Sequence, residues 1–271
     1  MQTPHLSLVL DDFERSGKLN VSIEDVRSVL PGVSSVGLSK ALYRQQQRGR
    51  LVHLSRGSGH WLIVPLQHST TGAPPLESWL NRYLQKMLKI PYYVGLLSAA
   101  ETYGSSPYAV MVTQVMVKEK RRPVFVGRYE LQFHTRINIE QMPTQWHETP
   151  DGRFKVSTPE LTVLDIIQCA SRLGGMARVH EVLRGLWSSC TPDGFAQTLD
   201  ALQGIPLAQR LGTLMSLDGQ EQLLPAVRCW LRGKTTRSLS LENAASKAEA
   251  VPDFNAEFKV WLPPRLQEAN S

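Results

Sequence analysis

The sequence predicts an α+β protein built in two blocks. Three observations carry that reading. Residues 6–64 hold three stretches of helical period followed by two strand-like runs around a glycine-rich turn. A polar linker ending in Pro74-Pro75 comes next. Beyond it, apolar strand-like runs over 109–139 give way to a succession of helix starts.

The elements follow in order. Leu6, Val9, Leu10 and Phe13 fall on one face of a short first helix, and Gly17 stops it. Ser22 can cap a second helix with Asp25 in its first turn; Ile23, Val26 and Leu30 are its apolar stripe, and Pro31-Gly32 ends it. Ser34-Ser35 offers the next cap. Leu38, Ala41, Leu42 and Gln45 form the inner face of a third helix, with Lys40, Tyr43, Arg44 and Gln47 opposite and Gly49 as its stop. Leu51–Leu54 and His60–Val64 then read as a hairpin joined by Ser55–Gly59. Three helices and a hairpin describe a winged helix-turn-helix over residues 1–70.

A helix about 10–12 Å across fits the DNA major groove, and it needs small or polar residues at its leading end and long donors outside. Ser35, Ser39, Lys40, Tyr43, Arg44 and Gln47 supply these. Arg48, Arg50, His60 and the turn residue Arg56 complete the expected DNA-binding set. Charge agrees with this. Net charge is only +6, but between Asp25 and Glu77 there are six cations (Arg27, Lys40, Arg44, Arg48, Arg50, Arg56) and no acid. Such an interval points to phosphate. A cationic helix face is also what an ordinary solvated helix shows, and a winged fold can serve as a protein-interaction module.

Gln67–Pro75 reads as the linker. Leu76, Trp79, Leu80, Tyr83, Leu84, Met87 and Leu88 predict one amphipathic helix ending before Pro91. A short helix is expected over 98–103. Strands are expected over 109–117, 124–126 and 129–133, and Lys118–Pro123 is a cationic turn between the first two. There, Lys118, Lys120, Arg121 and Arg122 form a second basic patch around one acid. Ser157-Thr158-Pro159-Glu160 is a strong helix start, and the apolar run 161–170 predicts a central buried helix. Helices around 179–186, 191–202, 206–217 and 220–231 complete a mixed domain over 76–232, a small sheet and a helical bundle. Residues 233–271 are expected to be a partly flexible tail with a last strand near 258–262.

Little in the sequence points to catalysis. No phosphate-binding glycine loop, His-Glu-x-x-His or Cys-x-x-Cys is present, so no metal or cofactor is expected and the protein reads as a non-enzyme. His147-Glu148 reads as a loop pair, Cys169 as core, and Asp165 as a carboxylate bonded to a backbone group or an arginine. Ser98, Ser105 and Ser106 read as cap and loop residues. Cys169, Cys190 and Cys229 are odd in number and far apart, which suits reduced thiols. The longest nearly apolar run, 109–117, is far short of a membrane span, and no secretory signal opens the sequence; a cytoplasmic protein is expected.

Two blocks resemble a known family. Tyr92-Tyr93-Val94-Gly95-Leu96-Leu97-Ser98-Ala99-Ala100-Glu101-Thr102-Tyr103-Gly104 and Ser157-Thr158-Pro159-Glu160-Leu161-Thr162-Val163-Leu164-Asp165, with the winged segment Gly32–Pro65, are similar to the AbiEi-type antitoxins of type IV toxin–antitoxin systems. The resemblance implies that the N-terminal domain binds inverted repeats in promoter double-stranded DNA and represses its own operon. It implies that the C-terminal domain counters a nucleotidyltransferase toxin without a stable complex, in phage defence. The alternative is a winged-helix regulator whose second domain senses a ligand or protein. An enzyme or RNA-directed accessory factor using the 118–122 turn is a third reading.

Overall fold

The computed structural model describes residues 5–55, 59–106, 111–242 and 253–263. The chain opens with α1 (Leu6–Arg15), β1 (Asn20–Ser22), α2 (Ile23–Val29), α3 (Ser35–Gln47), β2 (Leu51–Ser55) and β3 (His60–Ile63). Next come β4 (Tyr92–Val94), α4 (Leu96–Thr102), β5 (Thr113–Val117), β6 (Val124–Val126), β7 (Tyr129–Thr135), β8 (Thr144–Thr149) and β9 (Gly152–Ser157). Five helices follow: α5 (Pro159–Gln168), α6 (Met176–Leu186), α7 (Pro192–Leu202), α8 (Ile205–Leu217) and α9 (Leu224–Leu231). Three short strands close the series: β10 (Leu239–Ser240), β11 (Asp253–Asn255) and β12 (Val260–Leu262). The fold is α+β. Among the described residues no helix is long and apolar enough to cross a membrane.

The chain divides into two compact units that do not follow the linear partition near residues 70–76. The first takes Met1–Tyr92, Met111–Ile137 and Trp146–Lys155; the second takes Tyr93–Val110, Asn138–Gln145 and Val156–Ser271.

In the first unit, α1, α2 and α3 pack around Leu6, Leu10, Val26, Leu38 and Leu42. Ser22 and Asp25 close a full capping box on α2. Ser34 caps α3 by accepting from the Gly37 amide at 3.1 Å. The hairpin β2–β3 gains a third strand that the sequence reading missed: β1 pairs antiparallel with β3, Val21 opposite Trp61, giving the order β1-β3-β2. Three residues with a buried asparagine at their head carry no period to detect. Asn20 uses that position to donate its side-chain amide to the Trp79 carbonyl at 3.2 Å.

Trp79, Leu80, Tyr83 and Leu84 are buried as their spacing suggests, yet the segment is not one α-helix. It is a 3-10 turn at Leu76–Ser78 and a π-helical stretch at Arg82–Met87. Two anchors override the 3.6-residue period: the Trp79 indole donates to the Pro74 carbonyl at 3.3 Å, and the Tyr83 hydroxyl to the Leu54 carbonyl at 3.1 Å. β5 runs parallel to β7, with Val115 opposite Phe133, while β6 pairs antiparallel on the other side of β7. The 118–123 connection therefore crosses β7 instead of closing a hairpin. Gly127, at φ 56°, is required: a Cβ there would sit 2.5 Å from the Gly72 backbone. Residues 144–157 form the hairpin β8–β9, so His147 and Glu148 lie on a strand and not in a loop. Polar residues fill that strand and hid its alternation.

In the second unit, α5 is the central helix that its sequence predicts; Glu160 through Ile167 are all buried. Thr158 caps it by accepting from the Leu161 amide, with Pro159 in the first turn. Val94 of β4 pairs in parallel with Val156 of β9. Near the end of the chain β12 pairs in parallel with β10 and antiparallel with β11. Gln209 on α8 holds this small sheet by donating to the carbonyls of Phe258 at 2.6 Å and Arg237 at 2.9 Å.

Candidate nucleic-acid interface

The sequence-predicted site residues lie in the first unit. On α3, Leu38, Leu42 and Gln45 face inward, and Ser35, Ser39, Lys40, Tyr43, Arg44 and Gln47 are exposed, as is Arg48 at the C-cap. The 3.6-residue period separates the two sets: an apolar stripe toward α1 and β2 leaves the polar positions outward. Tyr43 is 61% exposed, high for an aromatic ring. Ser39 spends its hydroxyl proton on the Ser35 carbonyl at 2.9 Å.

Two members of the set sit differently. Arg50 is largely buried, its guanidinium 2.6 Å from Asp11 and 3.0 Å from Glu14. Both acids belong to α1, upstream of the acid-free interval, so the fold returns carboxylates that the linear sequence keeps away. Arg50 ties α1 to the end of α3 and is not offered outward. His60 is half-buried at the start of β3, opposite Ser22 and Ser55, and its Nδ1 is buried without a hydrogen-bond partner among the described residues. Arg56 lies outside the described residues.

The second patch is brought close to this region. Lys118, Lys120, Arg121 and Arg122 are all exposed. Lys120, Arg121 and Arg122 line a cavity of about 910 Å³ together with Gln46 of α3 and Val52–Leu54 of β2. Sequence spacing alone could not join positions 46 and 122.

The second unit uses its polar residues inward. The Tyr93 hydroxyl donates to Asp165 at 2.9 Å. Glu160 accepts from the Thr191 amide at 2.8 Å and the Thr191 hydroxyl at 3.1 Å. Gly194 must be glycine, since a Cβ there would lie 2.3 Å from the Glu160 carboxylate. Tyr103 donates to the Ser157 carbonyl; burial and the Glu160 charge push its phenol above the ordinary range. Burial, then Glu160, pushes the Cys190 thiol up as well, so it is not an activated nucleophile. His180 and Asp218 form a buried pair at 2.8 Å, and the Trp187 indole donates to the same carboxylate at 2.7 Å. The sequence reading missed this cluster, which gives no local signal because its members are 31 and 38 residues apart. Among the described residues no group of His, Cys, Asp and Glu could hold a metal ion.

The two blocks that carry the family resemblance thus meet in the core: Tyr93 on Asp165, and Ser157 beside Val94. Comparison with known proteins agrees. Residues 93–217 match the family model of the AbiEi antitoxin C-terminal domain. This segment is similar to the C-terminal domain of AbiEi-type antitoxins. No curated protein sequence matches the chain. Among solved structures, the chain is similar to the crystal structure of the RV2827C protein from Mycobacterium tuberculosis. The two share 15% sequence identity at a TM-score of 0.68, over 99% of this chain and 95% of that one. At that identity the likeness speaks for the fold alone.

Proposed function

We propose that this protein is a cytoplasmic, non-catalytic antitoxin of type IV. Its N-terminal winged helix-turn-helix binds inverted repeats in promoter duplex DNA and represses its own operon. Its AbiEi domain counteracts a nucleotidyltransferase toxin without a stable complex. The observation that carries the DNA-binding half is the outer face of α3, where Lys40, Tyr43, Arg44 and Gln47 are exposed and none has a partner among the described residues. Helix diameter and donor spacing suit the major groove. Arg50 is left out of this contact set because Asp11 and Glu14 hold it.

The test uses the full chain. Its own promoter fragment is titrated with wild type and with the Lys40→Ser, Arg44→Ser double variant, and both are expressed beside the toxin encoded next to it. The expected result is lost promoter binding with toxin rescue retained. Unchanged promoter affinity in a folded double variant removes α3 from the interface. Failure of wild type to rescue overturns the antitoxin half.

A further inference from the structure

The cavity beside β2 is built from two chemistries. Its rim carries Lys120, Arg121 and Arg122, none with an ion-pair partner among the described residues, against the single acid Glu119. Beneath it lie the buried Leu54 and Tyr83 and the half-buried Phe133. Phe125 on β6 also lines the cavity, 67% exposed although it is a large apolar ring. Its neighbour Val126 is fully buried, so the strand's alternation turns Phe125 outward.

We infer that this groove binds unpaired nucleotides of a single-stranded nucleic acid, with Phe125 as the stacking platform and Lys120, Arg121 and Arg122 on the phosphates. Duplex DNA would meet only the cations, because its bases are already stacked and paired. It would leave the Phe125 ring in water. An unpaired strand satisfies both: a base covers Phe125, and the backbone follows the rim. The volume, about 910 Å³, is that of a site for a small ligand or a few nucleotides. Gln46 adds an amide that can bond a base edge. This site is distinct from the outer face of α3 and does not rest on the promoter reading.

The test is fluorescence anisotropy on the full chain with labelled U12, labelled dT12 and a 12-base-pair duplex. Both single strands are expected to bind, the two oligonucleotides separating RNA from DNA. Phe125→Ala should weaken single-strand binding by about 5- to 150-fold and leave duplex binding unchanged. The triple variant K120S/R121S/R122S should lower the slope of log K against log salt by roughly 0.7 for each phosphate left without its cation, about 2 in all. Phe125→Trp keeps a platform and should retain binding, so the result does not hang on the fold of one variant. K40S/R44S should leave single-strand affinity intact. No single-strand binding at low salt overturns the inference. So does an unaffected Phe125→Ala, or an equal loss on duplex and single strand, which would mark a plain duplex-binding surface.

Discussion

α3 and α5 are helices of similar length with opposite uses for their polar residues. α3 buries Leu38, Leu42 and Gln45 and leaves its charged and hydroxyl side chains to water. α5 buries Glu160, Thr162 and Asp165 along with its apolar residues, and each is bonded: Glu160 to Thr191, Thr162 to Ser157, Asp165 to Tyr93. A buried polar group without a partner is costly, so α5's polar residues were matched within the fold. On α3 the exposed Lys40, Tyr43, Arg44 and Gln47 have no such matched partner among the described residues. Polar residues therefore specify the fold in one helix and offer a surface in the other.

The contrast can be broken by mutation. Leu164→Ala on α5 removes a fully buried side chain and should cost about 2–5 kcal/mol, read as a shift in the urea midpoint. A loss below about 1 kcal/mol would mean that α5 is less central than its burial indicates. Arg44→Ala on α3 should leave that midpoint in place. Promoter affinity should fall by about 1–3 kcal/mol if the guanidinium reads a base edge in two bonds.

Tyr93→Phe sharpens the same line from the other side. It keeps the ring and deletes the donor to Asp165, for an expected cost of about 1–3 kcal/mol in stability. Toxin rescue by the surviving folded fraction should be unchanged, since the bond is internal. A lost rescue at full stability would move Tyr93 from the fold to the function.

The smallest effect belongs to the α2 cap. Asp25 is partly desolvated, which by itself raises its pKa; the bonds from Lys18 at 2.5 Å and from the Ser22 amide at 2.8 Å and hydroxyl at 2.9 Å outweigh that and lower it. A carboxyl with a depressed folded value stabilises the protein above the ordinary range, near pH 4, and loses that contribution as pH falls through the folded value. Asp25→Asn should therefore narrow its stability gap to wild type between pH 6 and pH 3. A gap that stays constant would show that the cap acts without its charge.

Much was legible in the sequence because it is local. Helices α1, α2 and α3 announce themselves through apolar spacing, Ser22 and Ser34 caps and glycine stops; α5 does so through Thr158-Pro159. These depend on groups within one or two turns. The outer face of α3 followed from the same period, so most of the candidate DNA-contact set stands exposed where expected. The resemblance blocks were legible too, but as core: Tyr93 and Asp165 bond to each other inside the second unit.

What tertiary structure decided is non-local. Arg50 is positive in sequence and neutralised in space, since α1 folds Asp11 and Glu14 against it. β1 exists only because β3 offers it an edge. The segment after Pro75 trades an α-helix for a π turn because Trp79 and Tyr83 are tied to Pro74 and Leu54. The groove at Phe125 is the clearest case. Its cations, the residues beneath them and Gln46 come from separate stretches of chain, and no spacing within any of them encodes their meeting. Hydrophobic period and capping act over a few residues and can be read one helix at a time. Strand pairing, charge compensation and concavity are set by which distant segments bury each other.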